Sequence, residues 1–201
     1  MRARSGTELS HQIQLTWMRF HKHRDILLDK NINIRSRLKF FQSVVGATLM
    51  YGLPTCALTA QQLESLDVLQ RKMLRSMVGW IRREPEDWSD TMRRMRDRVE
   101  AALRQYPIEK WSAQLLRRQF RMVCRFSAQS SEWPMRISRW QPSLVANGAH
   151  RSQGRPPVRW DDRLNSFAHT YLHQDSWLES CAFPNFPQRE DAYVQFFCSG
   201  A

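Results

Sequence analysis

The chain has 201 residues, 42% of them hydrophobic and 25% charged, an ordinary globular balance with enough length to bury a core in one large domain or two small ones. Thirty-one Lys and Arg face nineteen Asp and Glu, for a formal charge of +12 and a pI near 10.4. Such an excess argues against charge kept for solubility alone, which acidic residues serve better, and points to a polyanion: nucleic acid first, an anionic membrane surface second. Most of the cations are arginine, whose planar fork fits phosphate oxygens and stacks on flat rings better than an ammonium does.

The first eighty or so residues carry three amphipathic helical patterns. Leu9, Ile13, Trp17, Phe20 and Leu27 share one helix face, and Asn31 and Asn33 mark a break. Ile34, Leu38, Phe41, Val45 and Leu49 make a second stripe, which Gly52 and Pro54 end. Thr59 with Gln62 forms a capping-box pattern ahead of a third helix bearing Leu63, Leu66, Leu69, Met73, Met77 and Trp80, with Arg71, Arg75 and Arg82 off the apolar stripe. A mixed-charge turn, Arg82–Asp90, leads to a helix over about Thr91–Tyr106 that Pro107 stops. A fifth helix, roughly Glu109–Gln129, places Trp111, Leu115, Phe120 and Val123 on one side. Ser130–Pro157 accumulates Ser, Gly, Pro and Asn and reads as a linker. Asp161 or Asp162 starts another helix, and Pro187–Phe197 forms a short last one against Trp177. The expected fold is all-α, divided into a helical bundle (7–81), a basic helical segment (82–129), an irregular basic loop (130–158) and a small helical segment (159–198). Tryptophans on the helix stripes, Trp17, Trp80 and Trp111, are expected in the core.

Charge concentrates in the middle of the chain. Ala101–Trp160 holds eleven Lys and Arg against two acids, Glu109 and Glu132. Arg117, Arg121 and Arg125 recur every fourth residue with Arg118 beside them, a straight ridge with no acid nearby in sequence to pair with. Such a ridge can track a phosphate backbone and release counterions. Trp133, Trp140 and Trp160 lie among Arg136, Arg139 and Arg159, where they could stack on unpaired bases. Gly154-Arg155-Pro156 makes a stiff basic loop, similar to the tripeptide that enters a minor groove.

Three landmarks in order, Arg37–Gly52 (RLKFFQSVVGATLMYG), Leu66–Gly79 (LDVLQRKMLRSMVG) and Gly154–Leu164 (GRPPVRWDDRL), resemble the region just after the catalytic palm in reverse transcriptases of non-LTR, LINE-type retrotransposons. The likeness covers roughly Thr7–Phe197. Departures stand at Ala47, Pro54, Cys56, Cys124 and Arg125, where that family usually carries other residues. The resemblance implies a helical thumb over Leu9–Ile81 that grips a template–primer duplex, followed by a C-terminal region that handles RNA or target DNA. It also implies that the palm lies outside these residues, in the rest of a reverse transcriptase.

The residue types for catalysis are not assembled in the sequence. A polymerase needs clustered carboxylates for divalent metal, and the one Asp-Asp pair, Asp161-Asp162, sits where helix capping accounts for it. His169 and His173 are one turn apart, but Thr170 stands where a zinc-protease motif needs glutamate, and Cys181 and Cys198 add only irregular spacing. Neither a catalytic centre, a metal nor a cofactor is therefore expected. The four cysteines lie far apart, Met1–Gln12 has no apolar core, and the longest apolar run, Val44–Leu53, is about half of a bilayer span. A nuclear or cytoplasmic protein without a membrane span follows. The expected partner is nucleic acid, as RNA or an RNA–DNA duplex, contacted through Arg71 and Arg75 in the thumb and Arg117, Arg118, Arg121, Arg125, Arg155 and Arg159 beyond it. Two other readings are a basic helical interaction protein that docks on an acidic partner or membrane surface, and a transposon relic without function.

Overall fold

The structure is a computed structural model, and it describes residues 3–128, 160–174, 177 and 185–198. The chain is all-α: among the described residues every regular element is helical and none is a strand. It divides into two compact units, the first made of residues 6–53 and 61–114, the second of 1–5, 54–60 and 115–201.

In the first unit, α1 (Ala3–Lys22) and α2 (Arg24–Leu28) replace the single opening helix that the stripe predicts. The break falls at His23, whose N–H is shared between the Arg19 and Phe20 carbonyls at 3.3 Å each. The buried stripe of α1 is Leu9, Gln12, Thr16 and Phe20, so Ile13 and Trp17 flank the core instead of filling it. Two polar residues are tolerated there because each bonds along its own helix. The Thr16 hydroxyl donates to the Gln12 carbonyl at 2.6 Å, and the Gln12 amide donates to Glu8 at 3.0 Å.

Asp29 accepts from the Asn31 N–H at 2.8 Å, and Asn33 accepts from the Arg35 N–H at 2.8 Å, capping the next helix. That helix, α3, runs Ile34–Phe41, then a π-helical turn Gln42–Gly46, then Ala47–Leu49. Leu38, Phe41, Val45 and Leu49 are all buried on it. The wider turn carries the Gln42 side chain, whose amide donates to Gln114 at 2.6 Å; a Cβ on Gly46 would approach the Gln42 Oε1 to 3.0 Å. Phe41 stacks on the fully buried Trp111, centroids 5.6 Å apart.

α4 (Ala60–Val78) buries Leu63, Leu66, Leu69, Met73 and Met77 at the predicted spacing. It stops at Gly79, whose φ of +84° is one that side-chain-bearing residues rarely adopt. Trp80, expected in the core, is 42% exposed because the helix and its stripe end at Val78, two residues earlier. α5 (Trp88–Gln105) begins three residues ahead of the expected start. Asp87 caps it, accepting from the Trp88 N–H at 2.7 Å. α6 follows over Trp111–Ala128, and the divide between the units falls within it, after Gln114.

Two sets of polar contacts fasten this unit. Asp67 on α4 accepts from the Ser112 N–H at 2.9 Å and its hydroxyl at 2.7 Å, while Gln70, one turn on, accepts from the Trp111 N–H at 3.3 Å and donates to the Glu109 carbonyl at 3.0 Å. The free donors at the start of α6 are thus met by side chains of another helix. At the opposite end of α4, Arg37 donates to the carbonyls of Met77 at 2.8 Å, Leu27 at 3.2 Å and Ile32 at 3.0 Å. Arg98 donates to the Gly79 carbonyl at 3.1 Å and to that of Val78, and Arg94 to that of Ile81 at 2.6 Å. Arg94 also grips Glu86 at 2.8 and 2.7 Å, and these hydrogen bonds draw the Glu86 carboxyl down to about 2.

In the second unit, α7 (Trp160–Phe167) runs on into a π-helical turn, Ala168–Leu172, and α8 (Glu190–Cys198) follows a 3-10 turn at Phe186–Arg189. Asp161 and Asp162 therefore sit inside the first turn of α7 and not ahead of it. The core is a cluster of rings: Phe120 of α6 lies 5.1 Å from Tyr193, Tyr193 lies 5.3 Å from Phe167, and Phe167 lies 6.0 Å from Phe196. Burial pushes the Tyr193 phenol up, and the Arg163 guanidinium lies 5.4 Å from the centre of the Phe197 ring. Trp177 is buried, and its backbone N–H donates to the Asn165 side-chain Oδ1 at 3.1 Å.

Because Arg37 is buried and bonded to three carbonyls, Arg37→Ala should lower the urea-unfolding free energy by about 3 kcal/mol. Exposed Arg71→Ala should change it by less than about 0.5 kcal/mol, so equal losses would show that the carbonyl contacts do not matter.

Candidate nucleic-acid interface

The ridge on α6 is present as a helical row, but its four arginines do not share one environment. Arg117 and Arg121 turn to the first turn of α8. Arg117 reaches Glu190 at 3.0 Å and Asp191 at 2.6 Å, and Arg121 grips both Glu190 oxygens at 2.8 Å each. The expectation of a ridge without acids is corrected here. The partners lie some seventy residues away in sequence, and the packing of Tyr193 against Phe120 brings them to the helix. Arg118 and Arg125 are exposed and form no ion pair among the described residues.

On α4, Arg71 and Lys72 are exposed and Arg75 is half-buried. Arg75 lies along its helix, donating from Nε to the Arg71 carbonyl at 3.2 Å and from Nη1 to the Met92 sulfur at 3.6 Å. None of the three forms an ion pair among the described residues. Arg155 and Arg159, with residues 129 to 159 as a whole, Trp133 and Trp140 among them, lie outside the described residues.

Other arginines take roles that the pattern alone did not separate from surface charge. Arg37 falls between Ile34 and Phe41 on the buried side of α3, and Arg98 between Met95 and Ala102 on that of α5. An arginine inside an apolar stripe is a readable sign that its head group finds buried acceptors. Also missed was the surface pairing of Trp80 with Trp88, whose rings lie 5.8 Å apart.

Among the described residues no three His, Cys, Asp or Glu side chains are grouped to hold a metal ion, and no helix is long and apolar enough to cross a membrane. His169 and His173 are both exposed. Burial, with Glu190 nearby, pushes the Cys124 thiol up, away from the thiolate form that nucleophiles and metal ligands use.

The hydrogen bonds from Arg121 and then Arg117 hold the Glu190 carboxyl below its ordinary value of 4.5. A carboxyl depressed on folding contributes stability above its unfolded value and loses it as pH falls through the folded one. Glu190→Gln should therefore destabilise by on the order of 1 kcal/mol at pH 7, and the gap should close as pH drops below 4.5. A gap of constant size from pH 7 down to pH 2 would mean that ionisation of Glu190 is not its source. The chain matches no protein-family model, and no curated protein or solved structure matches it significantly.

Proposed function

We propose that this chain is a nucleic-acid-binding piece, resembling the thumb and C-terminal region of a LINE-type reverse transcriptase, that holds template–primer duplex or element RNA by its phosphates and has no catalytic centre of its own. The observation that carries this reading is the cationic side of α4, where Arg71, Lys72 and Arg75 stand on a rigid helix without an acid partner among the described residues. Arg118 and Arg125 on α6 add two more exposed guanidiniums. A helix spares the backbone further ordering when its cations meet phosphates, and such contacts do not depend on base identity. Arg117 and Arg121 contribute less to contact than their place in the ridge suggests, because a docking phosphate must displace Glu190. Arg155 and Arg159 remain part of the proposed surface on their sequence pattern.

Fluorescence anisotropy with a labelled RNA–DNA duplex across a salt series tests this. The log–log plot should fall steeply, and Arg71→Ala with Arg75→Ala should flatten the slope by about 0.9 for each phosphate contact removed. A plot that is flat in the wild type, or a slope that the double variant leaves unchanged, would rule the reading out.

A further inference from the structure

Trp80 and Trp88 are 42% and 57% exposed, and Ile81 between them is 48% exposed. Rings so exposed are only partly used in packing, and the two indoles, 5.8 Å apart, form an apolar patch. The two indoles come from opposite sides of one loop: the left-handed turn at Gly79 ends α4 just before Trp80, and the Asp87 cap starts α5 at Trp88. That loop is pinned. Arg98 holds the Gly79 carbonyl, and Arg94 holds both the Ile81 carbonyl and Glu86. The exposure of the rings is thus built into a fixed turn.

The charge around the pair has one sign on one side. Residues 68 to 83 contain Arg71, Lys72, Arg75, Arg82 and Arg83 and no acid. Of the acids at 84 to 90, Glu86 is held by Arg94, Asp87 caps α5, Asp90 pairs with Arg93 at 3.1 Å, and Glu84 is exposed without a described contact of its side chain. Arg82 and Arg83 are exposed next to the rings. A flat apolar face beside guanidiniums fits a nucleobase joined to its phosphate, and only an unpaired base has a face to offer, since bases in a duplex are stacked on both sides.

We propose that Trp80 and Trp88 form a stacking platform for unpaired bases of a single-stranded nucleic acid, with Arg82 and Arg83 taking the adjoining phosphates. The rings are inclined at 56° to each other, so each presents its own face and bases are taken singly instead of as one continuous stack. The inference rests on the phosphate-binding reading above and adds the strand state of the ligand to it.

Anisotropy titrations of the full chain with a labelled oligouridine strand, and with a duplex of equal length, decide it. Trp80→Ala with Trp88→Ala should weaken single-strand binding about five-fold or more while changing duplex binding less than about two-fold. Trp80→Phe with Trp88→Phe should recover part of the loss, because a smaller ring still stacks. Arg71→Ala with Arg75→Ala should weaken both ligands. Single-strand affinity unchanged in the double alanine variant, or lost equally for strand and duplex, would overturn the platform while leaving phosphate binding standing. A wild-type chain that binds neither ligand would overturn both and point to a protein partner for the exposed rings.

Discussion

The last turn of α4 collects guanidinium groups from two other helices, and the packing of the first unit is organised around that meeting. Arg37 comes from α3 and Arg94 and Arg98 from α5, and between them they occupy the carbonyls of Met77, Val78, Gly79 and Ile81. A helix end carries carbonyls without partners and a partial negative charge, and buried carbonyls left unpaired are costly. Arginine suits this position because it stays charged and offers five donors in a fixed fork. Arg37 also reaches Leu27 and Ile32, so one side chain joins the end of α2, the following loop and the end of α4. The other half of α4 works with the opposite polarity: Asp67 and Gln70 present acceptors to the N–H groups at the start of α6.

The second unit is held by different means. Rings from α6, α7 and α8 meet edge to face, and the paired acids Glu190 and Asp191 close over Arg117 and Arg121 at its surface. Aromatic packing places α8, and the ion pairs then fix its first turn. Arg121 is 62% exposed, so its share of that attraction is screened by solvent.

How far the sequence could be read follows the range of each interaction. Apolar spacing acts within a few residues, and it places α3, α4 and α6 close to where they lie, with the break at Asn33 ahead of α3. The interruption at His23 and the π-helical turn at Gln42 were not legible, because both adjust the backbone to packing while the sequence period hardly changes. Trp80 shows the limit of a stripe: it continues the spacing of Met73 and Met77, but Gly79 stops the helix that would carry it inward. The arginines divided in a similar way. Their number and clustering were plain, whereas the sorting of Arg117 and Arg121 toward Glu190, and of Arg37 and Arg98 toward carbonyls, depends on contacts between residues distant in sequence.

That sorting separates two quantities that a formal charge of +12 runs together. Arg37 and Arg98 aim their N–H groups at neutral carbonyls, so their donors are occupied without a direct ion pair among the described residues. Under the phosphate-binding reading proposed above, an approaching polyanion would feel them at distances up to a Debye length, although their occupied donors would offer it nothing once it had arrived. Under that reading, the approach of a polyanion would be governed by more arginines than its residence.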